Sequence, residues 1–148
     1  MHATMSILTY RGTVFPWHCD HMGHMNVMWY VGKFDEATWH LFAAIGVTRA
    51  SMRDTGSVFG AVQQIITYKK EVLAGDIVEV RSRVLEIREK VIRFEHEMID
   101  SNTGATCARC EQTTVHIDAK ARKARAFPAA VRAAAEQAIN DAGGQAKA

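Results

Sequence analysis

Residues 14–37 read VFPWHCDHMGHMNVMWYVGKFDEA, and the way this stretch divides decides the fold. Its first half crowds His18, His21 and His24, three of the chain's seven histidines, together with Cys19, Asp20 and Gly23. A polar run with a glycine in it reads as a loop. Its second half opens on Asn26, a preferred N-cap residue, and then turns apolar at helical spacing through Val27, Val31, Phe34, Thr38, Leu41 and Ile45. Met28, Tyr30, Ala37, Phe42 and Ala44 widen the apolar surface, leaving Lys33, Glu36 and His40 as a narrow polar stripe. A helix apolar on most sides is a core helix. Gly46 is a fitting stop for it. A titratable loop therefore runs straight into a buried helix over Val27–Ile45, a setting in which chemistry tends to sit. Asp20 stands at the centre of that loop.

The flanking sequence supplies a sheet. Ile7–Phe15 is rich in β-branched and aromatic residues and predicts a first strand, ended by Pro16. Beyond the helix, Val47–Ser57 reads as a short irregular or helical connection with Gly56 as its breaker. Four strands are then predicted: Val58–Val72, Ile77–Ile87, Ile92–Met98 and Ala105–Asp118. They are separated by Ala74-Gly75-Asp76, by Arg88-Glu89-Lys90 and by the hairpin signal Ser101-Asn102-Thr103-Gly104. The alternation of the second of these strands slips at Leu85, which predicts a bulge. A basic linker, Lys120–Arg125, leads to a C-terminal helix over Pro128–Ala142, with Gly143-Gly144 as its stop. The pattern is α+β, one long helix lying on a curved antiparallel sheet.

Length and composition bound what such a chain does. Its 148 residues predict a single domain over 1–148, with a core over about 8–130. Net charge is +2, from 18 basic and 16 acidic residues. That balance argues against nucleic acid and against a membrane surface as partners. No apolar run reaches the roughly 18 residues of a membrane span, and residues 1–12 lack the pattern of a signal peptide. Cys19, Cys107 and Cys110 cannot all pair, which fits a reducing, cytoplasmic setting.

The loop and helix resemble the hotdog-fold thioesterases of the 4-hydroxybenzoyl-CoA thioesterase and acyl-CoA thioester hydrolase group. That pattern runs from an aromatic strand through Asp-x-Asp, two residues, Gly-His-x-Asn, and a Tyr and a Glu on the helix. Asp20, Gly23, His24, Asn26, Tyr30 and Glu36 stand at those spacings, and His18 replaces the first aspartate. Tyr68, Gly75-Asp76, the ending Val115–Asp118 and Phe127-Pro128 extend the similarity over roughly residues 8 to 130. The resemblance implies an antiparallel sheet wrapped around one long helix. It also implies a homodimer or homotetramer with sites at subunit interfaces, and an acyl-CoA substrate.

It further implies that Asp20 is the nucleophile or the general base. The chemistry agrees: a thioester has a good thiolate leaving group, so hydrolysis needs an attacking oxygen more than a strong acid. The plainer role for Asp20 is to cap a turn or the helix. Amides at the helix start, around Val27, are placed to polarise a thioester carbonyl, unless Asn26 simply caps them. His24 and Asn26 either orient substrate or hold the loop, and Tyr30 is either substrate-binding or core. Glu36 is the helix acid: some hotdog thioesterases use a helix carboxylate as the catalytic base, though not usually alongside a loop Asp, and otherwise Glu36 is paired with Lys33, His40 or a partner chain. Trp17, Trp29, Trp39, Phe34 and Phe59 are candidates for an acyl pocket. Lys69-Lys70, Arg81, Arg83, Arg88, Lys90 and Arg122–Arg125 are candidates for CoA phosphates.

The same loop invites a metal reading through His18, Cys19, His21 and His24. Adjacent residues of an extended loop point apart and no second ligand pair is evident, so neither a metal nor any other cofactor is expected. Cys107-Ala-Arg-Cys110 is a lone CxxC whose cysteines, three apart on a strand, are expected on opposite faces as small buried residues. An enoyl-CoA hydratase of the same fold and a non-catalytic acyl-thioester-binding protein remain the competing functions.

Overall fold

In a computed structural model that describes residues 6–147, the chain forms six strands and three α-helices. The bounds are β1 Ile7–Thr13, α1 Val27–Ala44, α2 Arg49–Thr55, β2 Ser57–Tyr68, β3 Ile77–Ile87, β4 Val91–Asp100, β5 Thr106–Asp118, β6 Lys123–Ala124 and α3 Ala129–Lys147. The strands make one sheet in the order β1-β3-β4-β5-β2, with β6 paired to the end of β5. The strand pairings are antiparallel. This is the α+β arrangement expected, a curled sheet with α1 on its concave side, and it is the hotdog fold. The signal-peptide reading of residues 1–12 falls partly outside the described residues.

Local chemistry explains most boundaries. Asn26 caps α1 by accepting the Met28 amide on its side chain at 3.0 Å. The helix ends at a C-cap, Ile45, and Gly46 follows in the left-handed region. The connection after it is helical: α2 carries a capping box between Thr48 and Ser51. The bulge predicted at Leu85 is present, as a register shift between Val84 and Glu86 against β4.

Three expectations shift. β2 stops at Tyr68, short of Val72, because the amides of Lys69 and Lys70 both turn to the Cys107 carbonyl, at 2.8 and 3.1 Å. That carbonyl belongs to a second bulge, which offsets β5 against β4 between Met98 and Ile99. The bulge reverses the phase of the strand, so Cys107 and Cys110 are buried in the same cluster and do not take opposite faces. Lastly, α3 runs past Gly143-Gly144 to Lys147. Glycine weakens a helix but does not terminate it by itself.

The core has two apolar halves. One gathers Tyr30, Phe34 and Ala37 of α1 with Val14, Met25, Val72, Val78, Val80 and Met98. The other gathers Leu41, Phe42 and Ile45 with Val84, Ile92, Phe94, Phe127 and Val131. A polar seam crosses the core beside α1. Thr38 Oγ1 donates to the Phe34 carbonyl at 2.9 Å and lies 2.9 Å from His96 Nε2. His96 Nδ1 lies 2.5 Å from Ser82 Oγ, which lies 2.6 Å from Thr9 Oγ1. Thr9 Oγ1 in turn donates to the Val80 carbonyl at 3.1 Å, so the side chains of the seam are linked through to the sheet backbone. The seam ties α1 to β4, β3 and β1.

Candidate active site

The loop between β1 and α1 is closed by its own hydrogen bonds. Pro16–His18 forms a single 3-10 turn. The Asp20 amide donates to the His24 carbonyl at 3.1 Å, and the Gly23 amide donates back to the Asp20 carbonyl at 3.0 Å. Gly23 takes φ +89, a backbone conformation that glycine adopts without strain. The Asn26 amide donates to the His18 carbonyl at 2.9 Å, and the Met25 amide donates to the Val72 carbonyl at 2.7 Å. The loop is thereby anchored to the segment that follows β2.

Within this frame the Asp20 carboxylate is held at both oxygens. Oδ1 accepts the Met22 amide at 2.8 Å, and Oδ2 accepts Asn26 Nδ2 at 2.8 Å. These bonds hold its pKa below the ordinary carboxylate value, Asn26 contributing most and the Met22 amide next, with His24 and His21 adding a smaller pull. The group is half-buried, ionised and fixed in direction. Asn26 uses its other end to cap Met28. The Val27 amide, first in the helix, has no acceptor among the described residues. It is an unspent donor at the positive end of the α1 dipole.

The remaining predicted residues disperse around this centre. Tyr30, one turn into the helix, is 4% exposed and packs edge-on against Tyr68 at 5.0 Å between ring centres. Burial, and secondarily Cys107, Tyr68 and Glu71, push its hydroxyl pKa up to about 12, so it stays a neutral donor. His24 Nε2 lies 3.9 Å from Glu71. His18 is buried, with Nδ1 accepting the Phe15 amide at 2.9 Å and its ring set on Trp29 at 4.6 Å. His21 is exposed. The three histidines thus diverge.

Of the acyl-pocket candidates, only Trp17 and Trp29 lie in this neighbourhood, through His18. Phe34 is fully buried core, Trp39 packs against Phe42 further along α1, and Phe59 sits beside His116 and Phe127 in the other half of the core. Several phosphate candidates are already neutralised: Lys70 by Asp100, Arg81 by Glu79, Arg83 by Glu95, Arg88 by Glu86 and Arg125 by Asp118. The polar stripe of α1 also splits. Glu36 and His40 are exposed, whereas Lys33 is 4% exposed and donates to the Tyr10 hydroxyl at 2.8 Å in place of Glu36. Helical spacing put Lys33 among solvated residues, and only the position of Tyr10 on β1 could have shown otherwise.

The Asp20 carboxylate is thus held by Asn26, the residue that caps α1 just before the unspent Val27 amide. The chain belongs to the thioesterase-like superfamily, whose pattern matches residues 14–135. It is 32% identical over 112 residues to an L-carnitine dehydrogenase/betainyl-CoA thioesterase of Agrobacterium fabrum, covering 76% of this chain and 23% of that protein. It is 27% identical over 130 residues to a betainyl-CoA thioesterase of Pseudomonas aeruginosa, covering 88% of this chain and 82% of that one. The chain therefore spans under a quarter of the first relative's length. Among solved structures, a hypothetical protein of Staphylococcus aureus in complex with CoA superposes with a TM-score of 0.85 at 18% identity, covering 92% of this chain and 86% of the other. A 1,4-dihydroxy-2-naphthoyl-CoA thioesterase from Synechocystis superposes with a TM-score of 0.76 at 17% identity, covering 86% and 94%. No helix among the described residues is long and apolar enough to cross a membrane.

Proposed function

We propose that this chain hydrolyses an acyl-CoA thioester to the free acid and CoA, with Asp20 supplying the attacking oxygen or activating the water that attacks. The observation that carries this reading is the two-point anchoring of an ionised Asp20 carboxylate beside the unspent Val27 amide. The superfamily membership and the relatives' names support the reaction class. The carbonyl oxygen of the thioester points at the Val27 amide, where the helix end stabilises the charge that develops on attack. Asp20 adds to the carbonyl carbon to give a mixed anhydride that water then hydrolyses to the free acid and Asp20, or it takes a proton from a water that adds to the carbonyl carbon instead; in either route CoA leaves as the thiolate. Tyr30 and His24 flank the acyl carbonyl as donors, and Asn26 keeps Asp20 ionised and aimed.

The working unit is a homodimer or homotetramer. β2 is an edge strand of twelve residues on which Val62, Ile65 and Tyr68 are exposed. Val27, Met28 and Val31 are exposed on α1. An edge and an apolar helix side of this size suit a second copy. The three free cysteines fit a reducing compartment.

The deciding experiment measures thiol release from a panel of acyl-CoA thioesters, betainyl-CoA among them, by wild type and by Asp20→Asn. Hydrolysis that falls at least a hundredfold in the variant, with CoA affinity kept, is the expected result. Full activity in the variant overturns the role of Asp20, and hydration of crotonyl-CoA without thiol release overturns the reaction class.

A further inference from the structure

Ser57 and His116 form a hydrogen-bonded pair that the Asp20 site does not use. Ser57 Oγ lies 2.7 Å from His116 Nε2. On the far side of the ring, His116 Nδ1 faces the carbonyl oxygens of Arg125 at 2.8 Å and Ala126 at 3.1 Å. Carbonyl oxygens only accept, so Nδ1 carries the proton of the neutral ring and Nε2 offers its lone pair. The Ser57 hydroxyl therefore donates to Nε2. A serine hydroxyl on an imidazole whose other nitrogen is fixed by a third group is the arrangement of an activated nucleophile. Arg125 Nη2 donates to Ser57 Oγ at 2.9 Å, while its Nη1 is held by Asp118 at 2.9 Å. Thr55 Oγ1, which donates to the Ser51 carbonyl at 2.6 Å, stands 2.7 Å from the same serine oxygen.

The pair is buried but not sealed. His116 is fully buried and Ser57 is 7% exposed, yet both line a cavity of about 180 Å³. Its walls include Val47, Met52, Phe59, Phe127 and Val131, and Gly46, Thr55 and Ala130 are exposed at its rim. The His116 ring stacks on Phe127 at 5.1 Å between centres, which fixes its plane. An apolar cavity of about 150 Å³ holds a benzene ring, so this one takes a single ring or a short acyl chain. It stands apart from the Asp20 loop. The cavity begins where α1 ends, at Gly46 and Val47, whereas the loop precedes the first turn of α1. The 18 residues of that helix set about 27 Å between them.

We infer that Ser57 is the nucleophile of a second acyl-transfer site, for an uncharged carboxylic ester whose short or single-ring acyl group fills this cavity. Ser57 Oγ adds to the ester carbonyl carbon as its proton passes to His116 Nε2. The carbonyl oxygen takes the negative charge, and the Arg125 guanidinium beside Oγ lowers its cost. The bond to the leaving alcohol then breaks, and Nε2 gives its proton to that alcohol. Water attacks the Ser57 acyl ester by the same route, releasing the acid and restoring the Ser57 hydroxyl. The apolar walls disfavour a charged acyl group. This inference does not depend on the thioesterase reading.

The test uses the full chain carrying Asp20→Asn, to keep the first site out of the measurement, and follows p-nitrophenol release from p-nitrophenyl butyrate. Ser57→Ala and His116→Gln in that background are each expected to lower the rate about a hundredfold. Ala130→Trp, on the exposed rim, leaves the pair itself intact and is expected to lower the rate by closing the mouth. Wild type is treated in parallel with diisopropyl fluorophosphate, and peptide mass spectrometry is expected to find the phosphoryl adduct on Ser57. A rate unchanged by Ser57→Ala or by Ala130→Trp overturns the proposal, as does folded wild type with no adduct on Ser57. A pair that only holds β2 to β5 predicts lowered melting temperatures in Ser57→Ala and His116→Gln without any adduct. Because the adduct is read on wild type, it decides the matter even where those two variants fail to fold.

Discussion

Asn26 Nδ2 lies 2.8 Å from Asp20 Oδ2 while Asn26 Oδ1 lies 3.0 Å from the Met28 amide. One side chain therefore starts the core helix and holds the carboxylate beside that start. The two tasks share a residue, so they fail together. Asn26→Ala is expected to lose about 1 kcal/mol of stability through the cap. It also removes the largest influence holding the Asp20 pKa down. In the proposed mechanism the ionised form is the active one, so activity is expected to fall as pH drops through the Asp20 pKa. In Asn26→Ala that fall moves to higher pH. A pH profile of kcat/KM checks the shift, and a thermal melt checks the cap.

Gly23→Ala separates loop geometry from chemistry. At φ +89 any other residue is strained, by roughly 1–2 kcal/mol. A Cβ at Gly23 would meet nothing within 4 Å, so the strain is purely of the backbone. The expected result is a melting temperature lowered by a few degrees and a kcat lowered at least several-fold, because Gly23 bonds the Asp20 carbonyl.

His96 makes the fold acid-sensitive. Its pKa is pushed down from 6.5 to about 3 by burial. In the unfolded chain it takes a proton near pH 6.5, and in the fold it resists until far lower. Its contribution to stability is thus complete above that unfolded value and is lost as pH falls from there toward 3, by about 1.4 kcal/mol per unit. His18, lowered by burial and Lys33, acts in the same direction. The lowered carboxylates Asp20, Asp100 and Asp118 act only below about pH 4. Urea unfolding at pH 7 and pH 5 therefore isolates the histidines. Wild type is expected to lose stability between the two, and His96→Gln, which cannot titrate, to lose distinctly less.

Ile65→Lys tests the assembly. Ile65 lies on the edge strand β2 and is 53% exposed in the single chain, so a lysine there leaves the isolated fold intact within about 0.5 kcal/mol. Buried against a second copy, the same lysine disrupts the contact. Light scattering at micromolar concentration is expected to show the wild type as a dimer or tetramer and the variant as a monomer. A monomeric wild type would remove the oligomer from the functional reading.

Much of the fold was legible because its signals are local. The helix period from Val27 to Ile45, the cap at Asn26, the Gly75 and Gly104 turns and the slip at Leu85 each lie within a few residues of sequence, and each appears where expected. The site was legible to the extent that the loop is short: Asp20, Gly23, His24 and Asn26 bond one another across six residues or fewer. The bulge at Cys107 was not legible, because its carbonyl is claimed by Lys69 and Lys70, just past the end of β2 and far away in the chain.

The sequence by itself determined an α+β chain with a core helix, a polar loop feeding that helix, and Asp20 as the titratable group at the centre of that loop. These follow from spacing and from residue preferences that act over a turn or two. Tertiary structure alone decided which polar residues the core would keep. Lys33 turns inward because Tyr10, 23 residues earlier, offers it a hydroxyl. His96 stays neutral because burial closes its site to water, and it is tolerated there because Thr38, 58 residues earlier, and Ser82 partner both of its nitrogens. A buried polar group is tolerated only when its partners are in place, and those partners are brought together by the folding of the sheet onto the helix.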